Sequence, residues 1–83
     1  MTTEKILELV KDYFEMEYRD IQLVAGRYQM LNDTKYLKFN VNATLQRCLG
    51  VTLFVQSLEI PYEDISKLYD DYREKIEKML DNN

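Results

Sequence analysis

The sequence predicts an all-α fold, a three-helix bundle-like domain with a long first helix. Three observations carry that reading. Apolar residues recur three and four positions apart through three long segments, the spacing of a single helix face. Asn32-Asp33-Thr34 separates the first segment from the second. Glu59-Ile60-Pro61 separates the second from the third and is short enough to fold them into a hairpin or an angled pair. The 83 residues are read as a single helical domain, residues 1–83. Domains ordinarily take about 100–150 residues, so a second has no room.

The first helix is expected from Glu4 to Leu31, capped by Thr3, with Glu4 on the favourable side of the helix dipole. Its apolar positions are Ile6, Val10, Tyr13/Phe14, Ile21, Val24/Ala25, Tyr28 and Leu31, and Leu7, Leu9 and Met16 widen the stripe. Only Glu17 breaks it. Such a helix is about 42 Å long at roughly 1.5 Å per residue. Gly26 costs about 1 kcal/mol within it and marks a place for a kink or an early end. In the break that follows, Asn32 suits a left-handed C-cap, and Asp33 or Thr34 can cap the next helix.

The stretch Tyr36–Asn42 reads two ways. Leu37, Phe39 and Val41 alternate with Lys38, Asn40 and Asn42 as in a half-buried strand, which gives the alternative of an α+β fold with a β-hairpin around residues 21–42. The same residues open a helical series, Leu37, Val41, Leu45, Cys48/Leu49, Thr52, Val55 and Leu58. The helical reading is preferred, because the only strand partner, Ile21 to Leu31, already fits the first helix. The third helix starts at Pro61, whose missing N–H needs no partner there, with Glu63 and Asp64 in its first turn. Ile65, Leu68/Tyr69, Tyr72, Ile76 and Met79/Leu80 form its apolar stripe. Glu63→Lys67, Asp71→Lys75 and Glu74→Lys78 set an acid four residues before a base on the opposite face, each pair adding about 0.2–0.5 kcal/mol.

Composition removes several functions. With no His there is no His-based triad, no His general base and no imidazole metal ligand. One Cys builds neither an internal disulfide nor a thiolate zinc site. Eleven Lys and Arg against fifteen Asp and Glu leave a net charge of −4, with the bases scattered, which disfavours a phosphate backbone as partner. The N-terminal residues lack the basic and apolar run of a secretion signal, and no apolar run approaches the roughly 20 residues of a membrane span. A cytoplasmic protein with a reduced thiol is expected.

Carboxylates are the only plentiful reactive groups. Glu15, Glu17 and Asp20 lie close in sequence, as do Glu63, Asp64, Asp70, Asp71 and Glu74. Acid/base chemistry needs two carboxyls in a concave pocket with their pKa values pushed apart, and solvent-facing charges on short helices offer none. They read as a solvated, salt-bridged surface. Cys48 falls on the apolar stripe as a small hydrophobe, and Arg47 points about 100° away from it around a helix, a poor position for stabilising a thiolate. No catalytic residue, metal ligand or cofactor site is therefore expected.

Residues Val55 to Leu68 have the spacing of a helix-turn-helix motif and, over these 14 residues, resemble DNA-binding repressors. The resemblance implies a recognition helix starting near Tyr62. Glu59 stands where such turns prefer Gly, and Tyr62-Glu63-Asp64 would repel phosphates.

Hydrophobic residues make up 46% of a chain that, at this size, hides only about 60–65% of its surface on folding. Seven Tyr, together with Met16, Met30 and Met79, residue types favoured at protein interfaces, add to that surplus. The expectation is a small non-enzymatic interaction or regulatory module that forms a homodimer, with a further protein partner left open. The expected contact is the apolar end formed by Ile21, Val24, Tyr28 and Leu31, joined by Tyr62 and Tyr69. The rival reading is an acidic decoy that inhibits a nucleic-acid-binding protein, with the acids of the third helix as its active face.

Overall fold

A computed structural model describes residues 2–81, which form three helices: α1 (Thr3–Met30), α2 (Thr34–Gln56) and α3 (Tyr62–Asp81). They pack up-down-up into a rod measuring 44 × 16 × 15 Å. No strand occurs among the described residues, and the segment 21–42 proposed as a hairpin is the end of α1, a tight turn and the start of α2. The helical series beginning at Leu37 prevails because Leu37, Val41, Thr44, Cys48, Thr52 and Val55 all turn inward on α2.

Local chemistry sets the ends. Thr2, not Thr3, caps α1: its backbone is extended and its hydroxyl accepts from the Lys5 amide at 3.1 Å. At the other end Asn32 adopts φ 55°. The Asn32 amide donates to the Gln29 carbonyl at 3.1 Å and the Asp33 amide to the Tyr28 carbonyl at 2.9 Å. These are the two bonds of a Schellman turn, which satisfies carbonyls the helix end leaves open. Asp33 then caps α2 by accepting from the Tyr36 amide at 3.2 Å. Between α2 and α3, Glu59 takes φ 64°, and Pro61 lies immediately before the first residue of α3.

The interior divides in two. Val10, Phe14, Cys48, Val55, Ile60, Ile65 and Tyr72 form one apolar cluster, and Ile21, Ala25, Leu37, Val41, Ile76 and Met79 form the other. Tyr18 lies against both. Between them along α1 and α2 sit Glu17 and Thr44, both buried. The break in the α1 stripe is thus a polar insertion in the core, not a surface position. Arg47 donates to Glu17 Oε2 from Nε at 3.0 Å and from Nη2 at 2.8 Å, and Nη2 also donates to the Thr44 hydroxyl at 3.2 Å. A buried carboxylate is tolerated because a guanidinium meets it.

On α3 only one of the three expected acid-to-base pairs forms, Lys78 with Glu74 at 3.4 Å, and a pair not foreseen joins Arg73 to Glu77 at 2.9 Å. Lys75 lies over the rings of Tyr72 and Tyr18, at 4.7 and 5.7 Å from their centroids, where two aromatic faces replace one solvated carboxylate. Among the described residues no helix is long and apolar enough to cross a membrane.

Candidate interaction surface

Glu15 and Glu17 turn to different helices, while Glu15 shares a surface concavity with Asp12 and Asp20. Glu17 turns to α2 and Arg47, while Glu15 accepts the hydroxyl proton of Tyr72 on α3. Burial, and then that bond to Glu15, push the Tyr72 phenol up to about 12. Burial likewise pushes the Cys48 thiol up to about 11, with Glu17 adding to the effect and Arg47 opposing it. The thiol lies fully inside the first apolar cluster, where it packs as a small hydrophobe. Tyr13 and Tyr69 are also raised, first by burial. Among the described residues no group of three His, Cys, Asp or Glu side chains is placed to hold a metal. The groove between the first halves of α1 and α3 has Leu7 and Leu68 in its floor and charged side chains of both signs around it, including Glu4, Lys11, Asp64 and Lys67.

Helices α2 and α3 run side by side along their length. Leu37 and Val41 meet Ile76 and Met79 at one end, while Val55 and Ile60 meet Ile65 at the other. The Val55–Leu68 stretch is the end of α2, a turn and the start of α3, with Glu63 and Asp64 in the first turn of α3.

The six residues expected to form a contact are dispersed. Ile21 is 2% exposed and lies within the second apolar cluster, so it is core and not interface. Val24 is half-buried against the same cluster, and Tyr28 is half-buried and stacked on Tyr36 with centroids 5.9 Å apart. Tyr69 packs edge-on to Phe14. Leu31 and Tyr62 are exposed, but they stand at opposite ends of the rod. No single patch unites them.

The exposed apolar surface lies elsewhere. On α1, Leu9, Met16, Leu23 (74% exposed) and Met30 (89%) recur every seventh residue and form a column beside the buried one. On α2, Phe39 (69%), Leu53 and Phe54 (65%) face outward. Between Phe39 and Leu58 the only charged residue is Arg47, which is committed to Glu17. The outward side of α3 beyond Tyr62 carries charged residues from Glu63 to Asp81 and no exposed large apolar side chain. The signal for the α1 column was its seven-residue period, and for the α2 face the near absence of charge from 39 to 58.

Comparison of the chain with protein-family models, with curated proteins and with solved structures finds no match.

Proposed function

We propose that this chain is a non-enzymatic interaction module that works as a homodimer. One observation supports the reading above all: α1 and α2 leave large apolar side chains in water while α3 turns charge outward. Large apolar side chains exposed in that number along helix faces mark a surface that another molecule covers. A protein of net charge −4 meets a second copy with least repulsion where charge is absent, and the outer face of α2 offers that. Symmetric pairing is also the commonest way a small protein covers such a face. The decoy reading draws less support, because the acids of α3 are interleaved with Lys67, Arg73, Lys75 and Lys78 and two of them are already paired.

Light scattering coupled to size exclusion at micromolar concentration tests the proposal. The expected mass is twice the chain's 10.0 kDa. A mass of 10.0 kDa at every concentration overturns it.

A further inference from the structure

We infer that the second copy docks on the outer face of α2, antiparallel, about a two-fold axis near Gln46. This inference rests on the homodimer reading and adds to it the surface and the orientation.

Phe39, Ala43, Gln46, Gly50 and Leu53 recur at intervals of four, three, four and three along α2, the alternation that keeps one seam facing one neighbouring helix. The seam is bulky at its ends and small in the middle. Phe54 flanks it, fully outside the core. From Phe39 to Phe54 it runs about 22 Å at roughly 1.5 Å per residue. Gly50 is unexplained by the bundle itself, since a Cβ added there meets nothing within 4 Å. A glycine costs about 1 kcal/mol relative to Ala within a helix, and here it leaves room for a partner helix to approach closely.

Charge selects the orientation. Lys35 and Lys38 lie at the start of α2, and Glu59 and Glu63 lie just past its end. The ion pairs among the described residues are Arg47–Glu17, Arg73–Glu77 and Lys78–Glu74, and include none of these four. An antiparallel partner lays its Glu59 and Glu63 near Lys35 and Lys38, and the reverse, while a parallel partner sets like charges together at both ends. Antiparallel α2 helices also oppose their dipoles. The α1 column is the weaker seam. It supplies one apolar residue per two turns, and a two-fold at its middle sets Arg19 and Asp20 beside their own copies.

The test compares the unsubstituted chain with three variants by sedimentation, with helicity followed by circular dichroism, and follows two cysteine variants by oxidative linkage. Phe54→Lys, which the two-fold sets beside the partner's Lys38, and Gly50→Arg are expected to weaken the dimer about 100-fold or more, as an unpaired charge buried in an interface does, with helicity retained. Leu23→Glu on α1 is expected to leave the mass unchanged. In a Cys48→Ala background, Gln46→Cys is expected to link to its own copy under mild oxidation. Phe39→Cys is not, because antiparallel chains hold those positions about 22 Å apart. A dimer that survives both Phe54→Lys and Gly50→Arg, or falls apart on Leu23→Glu, overturns the inference and leaves the homodimer standing. Self-linkage at residue 39 without linkage at 46 overturns the orientation. A monomeric unsubstituted protein overturns the homodimer and the inference together.

Discussion

Arg47 reaches across from α2 to place two N–H donors on a single carboxylate oxygen of Glu17, at 3.0 and 2.8 Å, with Glu17 6% exposed and Arg47 half in water. The pair is asymmetric: only the acid has lost its hydration. Removing the acid and removing the base therefore have different costs.

Arg47→Ala leaves a desolvated carboxylate without its counter-ion, and we expect a loss of about 2 kcal/mol. A fully buried pair loses about 3–5 kcal/mol, and the exposed half of Arg47 lowers that figure here. Replacing both by apolar residues of similar size, Glu17→Leu with Arg47→Met, is expected to change stability by less than about 1 kcal/mol. Urea unfolding of the two variants measures both.

Glu59 holds φ 64°, a conformation that costs a residue with a Cβ about 1–2 kcal/mol. Glu59→Gly is expected to stabilise the protein by about 1 kcal/mol, net of the added freedom of the unfolded chain, and Glu59→Val to destabilise it. Thermal melting at neutral pH distinguishes the two.

Cys48 and Tyr72 bind their protons more tightly folded than unfolded, at about 11 against 9.0 and about 12 against 10.0. For such groups the folded state is favoured below the unfolded pKa, and the advantage is lost as pH rises toward the folded one. These two groups are therefore expected to leave stability unchanged from neutral pH to about pH 9 and to lower it from there to pH 12, by on the order of 2 kcal/mol per group. Cys48→Ala removes the earlier part of the decline. Urea midpoints at pH 8, 10 and 11 check it.

Gly26 lies inside α1, where an added Cβ meets nothing within 4 Å. Gly26→Ala is expected to raise stability by about 0.5–1 kcal/mol. Phe14→Ala acts in the opposite direction, since Phe14 is fully buried among Cys48, Ile65 and Tyr72, and should cost about 3–5 kcal/mol. Denaturant unfolding compares them directly.

Much of the fold is written locally. The spacing of Val10, Phe14, Ile21 and Ala25, the capping chemistry of Asn32 and Asp33, and the proline before Tyr62 each act within a few residues, so each can be read in order along the chain. The contact surface is different in kind. α1 carries two apolar columns, one through Ile21 and one through Leu23, and periodicity alone does not say which turns inward; neighbouring helices decide it. For the same reason Glu17 stands out as an interruption in sequence while its partner, thirty residues on, does not. α2 is apolar on nearly every side, which conceals that Phe39 and Phe54 are left over once Leu37, Val41 and Val55 are inside.

The polar insertion between the two apolar clusters also limits how these helices can move. Sliding α1 along α2 by one turn, about 5.4 Å, would carry the Glu17 carboxylate away from its guanidinium and in among the side chains around Cys48 or Val41. A continuous greasy track would permit such a step at little cost; an interrupted one forbids it. The Glu17–Arg47 pair thereby ties α1 and α2 to a single register.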